Sequence, residues 1–171
     1  MARQAAERDY LAIAIEQAGY GERTEFHLQK RSSNRTIDTA NHLLLVGRTL
    51  MGDGASDVSS AIDWLMSPHC PIEVLSERTF LFGHSSDGTL AQFAAALETR
   101  ISGTLASGSV GPIRETIAAR GAGGSDGIVP GLMNQFETPD LLALIAPRPF
   151  VGLSGTRDHI YPYNGVLKVV N

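Results

Sequence analysis

One cysteine, Cys70, stands in a chain of 171 residues. That count excludes an internal disulfide and any metal site built on several thiolates. Long hydrophobic runs are lacking too. The stretch Leu141 to Ala146 is among the longest, and it is far too short to cross a bilayer. The opening "MARQAAERDYLAIAI" has charge on both sides of a short apolar run and no small-residue cleavage site. It does not read as a secretory leader, so the expected location is cytoplasmic if the chain is complete. A large excess of one sign of charge is lacking as well. A net charge of −4 gives no reason to expect nucleic acid or an anionic membrane as partner. Repeats and low-complexity segments are absent.

What is present is an ordinary globular composition, 43% hydrophobic and 19% charged. It argues against disorder and suits one domain with a real core, residues 1–171. Short apolar runs alternate with helical patterns, which predicts an α/β fold with a mainly parallel sheet of about four strands flanked by helices. The expected strands lie in "YLAIAI" (Tyr10 to Ile15), "RTFLFG", "ISGTLASG" and "PFVGLSG". Helices are expected from about Thr36 to Leu50, over Asp57 to Met66, in "TLAQFAAALE" and in "PDLLALIAP". In the second, Val58, Ile62 and Leu65 share one helix face. Pro147 ends the last one. Gly121 to Gly131 is glycine-rich and is expected to be loop.

The stretch "FLFGHSSDGTL", Phe80 to Leu90, carries the chemistry. A strand ends in Gly83, and a helix begins beyond Ser85. A serine hydroxyl is a weak nucleophile at neutral pH. It needs a base, an acid behind the base and donors for the oxyanion. A tight strand-to-helix turn exposes the hydroxyl and aims a helix N-terminus at the developing charge. Such a turn crowds the residues two before and two after the serine. Gly83 meets the first requirement, whereas Asp87 stands where a small residue is expected. The plainer reading is that Ser85 or Ser86 merely caps the following helix.

The chain resembles the α/β-hydrolases, in particular the esterase-like branch related to acetyl xylan esterases and dienelactone hydrolases. The resemblance runs through "AAERDYLAIAIEQAGYGER", "GRTLMGDGASDVSSAIDWL", "FLFGHSSDGTLAQFAAALETRISGTLASG" and, most specifically, "DLLALIAPRPFVGLSGTRDHIYP". It implies a partial α/β-hydrolase fold, truncated at both ends relative to its relatives. It implies serine-dependent hydrolysis of a small carboxylic ester through an acyl-enzyme. Ser85 is then the nucleophile, Asp158 the triad acid, and the backbone N–H of Ser86 an oxyanion donor. No metal or organic cofactor is implied.

The triad order of that fold is serine, acid, histidine, and no histidine follows His159 in this chain. Of the five, His27, in the loop after the first expected strand, is the candidate to approach the correct sheet edge; His42, His69, His84 and His159 read as ordinary surface or hydrogen-bonded histidines. Two readings therefore stay open. One is an esterase whose base comes from His27, a partner chain or further sequence. The other is a non-catalytic hydrolase-like fragment. In the resembling family a strand lies between those matching "YLAIAI" and "RTFLFG". Its absence implies one of three outcomes: the first strand slides over to pair with the second, another chain fills the gap so that the protein self-associates through an unpaired strand, or the fold is loose.

Overall fold

The structure is a computed structural model and describes residues 2–24, 35–120 and 126–170. Among these, seven α-helices and three strands occur. The N-terminal part holds α1 (Ala2–Ala6), α2 (Arg35–Leu45) and α3 (Leu50–Leu65). Then come β1 (Phe80–His84), α4 (Ser86–Leu97), β2 (Gly103–Ser107) and α5 (Ile113–Arg120). The chain goes on through α6 (Thr138–Ile145), β3 (Phe150–Leu153) and α7 (Tyr163–Val170). The sheet is parallel, in the order β1-β2-β3. The α/β class expected from the sequence is the observed one.

α3 is longer than the apolar spacing suggested. Leu50, Met51 and Ala55 continue the buried face of Val58 and Ile62. Thr49 caps it, its hydroxyl accepting the Gly52 N–H at 3.0 Å. The hydrophobic core is one layer deep. Met51, Ile62, Leu90, Phe93, Ala94, Leu141 and Ile145 pack together, with Leu81 and Phe150 of the sheet against them. Ala106, Val110, Val166 and Val169 form a smaller cluster under α7.

The register explains why the helices crowd one side. Leu81 pairs Thr104, which pairs Phe150; Gly83 pairs Ala106, which pairs Gly152. In a parallel sheet, paired residues share a face. This face meets α4, α6 and α7. The connections β1–α4–β2 and β2–α6–β3 step across the sheet in the same direction. Right-handed crossovers in one direction put their helices on one face. The opposite face carries Phe80, then Phe82, Leu105 and Val151 in a row, then His84, Ser107 and Leu153. No helix covers it among the described residues. Phe80 is 57% exposed, Phe82 40%, Val151 48% and Leu153 50%.

The sequence expectation fails at Tyr10 to Ile15. These residues form no strand, and the described sheet has three strands rather than four. A strand exists only through a ladder of hydrogen bonds to a neighbour. This segment meets β1 through side chains alone: the Tyr10 ring stands edge-on to Phe80, with centroids 6.3 Å apart. At its far end the Gln17 amide donates to the Asp87 carboxylate, just past β1. The segment thus runs beside β1 without pairing to it, and Tyr10, Leu11, Ile13 and Ile15 stay half-exposed.

Candidate active site

Three strands ending at one edge of a parallel sheet place three loops side by side, and sites in such sheets form at that edge. The first is the turn at Ser85. Its φ of 57° and ψ of −121° lie in a region that non-glycine residues rarely occupy. Conformations of this kind cost about 1–3 kcal/mol and persist where surrounding structure imposes them. Here the imposition is visible. The Ser85 N–H donates to the Ser107 carbonyl at 2.8 Å, and the Ser85 carbonyl accepts from Thr89 at 3.0 Å. One residue is thus both the last rung of the sheet and the start of the helix.

The reversal is close enough to dictate glycine. A Cβ on Gly83 would lie 2.0 Å from the Asp87 carbonyl oxygen and 2.6 Å from the Gly88 nitrogen. A Cβ on Gly88 would lie 2.3 Å from Ser109 Oγ. The crowding expected after the serine therefore falls on Gly88 and on the backbone of Asp87. The Asp87 side chain leaves the turn and reaches buried Gln17, which is why a carboxylate is tolerated there.

Ser85 occupies the N-cap position of α4, yet its side chain makes no capping hydrogen bond. Its hydroxyl is left exposed at the edge of the sheet. Ser86 opens the helix. Its Oγ donates to buried Asp126 at 3.2 Å, and its N–H is among those at a helix start that have no intrahelical acceptor.

Asp158 lies in the loop after β3. Its Oδ1 accepts the N–H groups of Ile160 at 2.8 Å and Tyr161 at 3.0 Å, which fixes the carboxylate. The Tyr161 hydroxyl in turn meets Thr89 Oγ1 of α4 at 3.1 Å. This link ties the Asp158 loop to the first turn of the helix that Ser85 begins. Ser85 and Asp158 thus share one edge, with β2 between them. Two strand spacings, about 10 Å, separate the strands that carry them.

None of the described histidines joins this pair. His84 Nδ1 meets Ser107 Oγ at 3.2 Å, while His69 and His159 are exposed. His27 lies outside the described residues. Among the described residues, no histidine is hydrogen-bonded to Ser85 or Asp158. A pocket behind α4 is lined by Thr89, Gln92, Phe93, Ser109, Thr116 and Tyr161, among others. It does not include Ser85.

Sequence reasoning missed Gln17, Gly88 and the Thr89–Tyr161 link. Gly88 was findable, because the turn reads G-x-S with a second glycine three residues after the serine. Gln17 and Tyr161 had no local signal, since their partners lie far away in the chain.

A parallel sheet with a strand-to-helix turn at Ser85 and the Asp158 loop at the same edge is the architecture of an α/β-hydrolase fold. The comparisons with known proteins agree. The chain is 28% identical over 162 residues to "Putative hydrolase YtaP" of Bacillus subtilis (strain 168), covering 94% of this chain and 50% of that protein. Among solved structures, a promiscuous CE15 esterase from a marine bacterial metagenome superposes with a TM-score of 0.57 at 17% identity, over 84% of this chain and 38% of that one. A CE15 glucuronoyl esterase from Teredinibacter turnerae T7901 gives 0.53 at 23% identity, over 67% and 31%. A glucuronoyl esterase from Solibacter usitatus gives 0.53 at 25%, over 72% and 35%. The chain therefore spans half the length of the curated relative and about a third of these structures. No protein-family model matches it.

Proposed function

We propose that this edge is built for serine-dependent hydrolysis of a small carboxylic ester. The observation that carries the reading is Ser85, held at a φ of 57° with its hydroxyl uncapped and exposed. In this reading a base takes the Ser85 proton while Oγ bonds to the ester carbonyl carbon. The carbonyl π electrons move to oxygen, and the Ser86 N–H at the start of α4 donates to that oxyanion. The tetrahedral adduct collapses, the C–O bond to the alcohol breaks, and the alcohol leaves with the proton the base returns. Water then repeats the sequence on the acyl-serine and frees the acid. Asp158, fixed by two backbone donors, is the group to orient an imidazolium. No step calls for a metal or an organic cofactor.

The base is an imidazole between Ser85 and Asp158. Its candidate sources are His27 and a histidine from another chain or from further sequence. A second reading, a non-catalytic hydrolase-like chain, is favoured by the absence of a described histidine bonded to either residue. It is favoured too by the Asp87 carboxylate in the first turn of α4.

An alkyl fluorophosphonate separates the two. Under the first reading it labels Ser85, found by peptide mass, and Ser85→Ala abolishes the label. If the chain lacks its own base, free imidazole restores aryl acetate hydrolysis above the rate of Ser85→Ala with the same imidazole, and Asp158→Asn weakens that rescue. No label and no rescue establish the non-catalytic reading.

A further inference from the structure

Tyr161 is 6% exposed, although it sits in the loop between β3 and α7. The backbone of that loop bonds locally among the described residues. The Asp158 N–H donates to the Gly155 carbonyl at 3.3 Å, and the Pro162 carbonyl accepts the N–H groups of Gly165 and Val166, where α7 begins. A loop bonded to itself is placed by its two ends and by its side chains. Tyr161 supplies the side-chain tie. Its ring lies on the connection after β2, where a Cβ on Gly111 would fall 3.2 Å from the ring Cδ1. Its hydroxyl meets Thr89 Oγ1 of α4 at 3.1 Å, across 72 residues of sequence. Its N–H donates to Asp158 Oδ1 at 3.0 Å. One residue thus touches the acid at its backbone and the nucleophile's helix at its tip.

We propose that Tyr161 and Thr89 are a positioning pair through which α4 sets the place of the Asp158 carboxylate relative to Ser85. The inference rests on the reading of Ser85 and Asp158 as nucleophile and acid. Thr89 stands one helical turn from Ser85, and its N–H donates to the Ser85 carbonyl at 3.0 Å. The first turn of α4 therefore carries the serine and the Thr89 hydroxyl together. β3, by contrast, reaches the Ser85 strand only across β2. Asp158 Oδ1 is occupied by the N–H groups of Ile160 and Tyr161, whereas Oδ2 accepts no hydrogen bond among the described residues. Oδ2 is the oxygen left for an imidazole. In this proposal neither hydroxyl of the pair touches a reacting atom; both act through Asp158. The demand for such a tie is strict, because a misplacement of about 1 Å can cost about a hundredfold in rate.

Amide hydrogen exchange on the 171-residue chain, followed by NMR, tests the pair without turnover. The N–H groups of Ile160 and Tyr161 report on the carboxylate, because both donate to it. One neutral hydrogen bond is worth a factor of about five to ten in an opening equilibrium. Tyr161→Phe and Thr89→Val each speed exchange at these two amides by that factor and leave β1 and β2 unchanged. The double variant goes no faster than the faster single one, and Thr89→Ser, which keeps the hydroxyl, matches the parent chain. Unchanged exchange at the two amides overturns the proposal, as does acceleration spread equally over β1 and β2. Effects that add in the double variant, or Thr89→Ser as fast as Thr89→Val, overturn it too. Imidazole-rescued hydrolysis supplies the kinetic signature. Tyr161→Phe lowers kcat with KM unchanged, and it changes nothing further in an Asp158→Asn background; an equal loss in that background refutes action through Asp158. A parent chain that shows neither label nor rescue refutes the proposed function instead, and the exchange rates still decide whether α4 holds the loop.

Discussion

Gly83 and Gly88 both sit in the turn that presents Ser85, and adding one methyl group to each has different consequences. On Gly83 the new Cβ falls 2.0 Å from the Asp87 carbonyl oxygen and 2.6 Å from the Gly88 nitrogen. Both are backbone atoms, so no rotamer relieves the overlap, and α4 must shift by roughly 1 Å or more against β1. Overpacking typically costs about 1–3 kcal/mol. A clash with backbone on one side and a fixed strand on the other belongs at the upper end, about 3 kcal/mol. For a chain of this size that is a fall in Tm of about 6–12 °C. On Gly88 the new Cβ meets a side chain, Ser109 Oγ at 2.3 Å and Cβ at 2.8 Å. Gly88→Ala is therefore rescuable. Ser109→Gly removes the two nearest contacting atoms and leaves only the Gly83 carbonyl oxygen at 3.1 Å, so the double variant regains more than half of the stability that Gly88→Ala loses. Gly83→Ala has no such partner. Urea unfolding of the four variants, read by circular dichroism, gives the coupling energy of the cycle. If Gly83→Ala costs under about 0.5 kcal/mol, or if Ser109→Gly gives Gly88→Ala no relief, the close approach described at this turn is wrong.

Glu98 supplies a pH prediction. Hydrogen bonds from the Arg100 guanidinium, against the opposing effect of burial, hold its carboxyl down at about 2 from an ordinary 4.5. A depressed folded-state pKa gives stability that is complete above 4.5 and is lost as pH falls from there toward about 2. The urea midpoint drops over that window, and Glu98→Gln flattens the drop. Arg148 donates to the carbonyls of Ala95, Glu98, Ile101 and Ile145 at 2.6–3.1 Å, stapling the ends of α4 and α6. Arg148→Lys, with fewer donors and no fork, loses about 2–3 kcal/mol in thermal or urea melts. Ser85→Gly relieves the left-handed backbone and stabilises the fold by about 1 kcal/mol while removing the hydroxyl. A melt that moves down instead shows that the Ser85 side chain helps hold the turn.

The unit β1–α4–β2 was legible because its signals are local: an apolar run, a glycine, then a helical spacing on Leu90, Phe93 and Ala94. The placement of Ser85 in a turn and of Asp158 after a strand came from the same kind of signal. Tyr10 to Ile15 misled because an apolar run says that a segment is greasy, not that a neighbour is there to bond it. α7 went unread for the opposite reason. "YNGVLKVV" holds β-branched residues and a glycine, which disfavour helix. Burial of Val166 and Val169 against Ala106 and Val110 overrides that preference. The Gln17–Asp87 and Thr89–Tyr161 contacts join distant parts of the chain, and no periodicity encodes them.

The stepwise winding of the sheet also sets an order of assembly. β1 and β2 are joined by one helix, so their pairing closes a short loop. β3 reaches β2 only after α5, a glycine-rich stretch and α6 have been gathered in. Closing longer loops costs more entropy, and contacts between remote residues form slowly. The turn at Ser85 is therefore expected to be in place while the loop of Asp158 is still searching. In a refolding experiment, amide protection in β1 and α4 precedes that in β3, so the turn at Ser85 forms before the Asp158 loop arrives beside it.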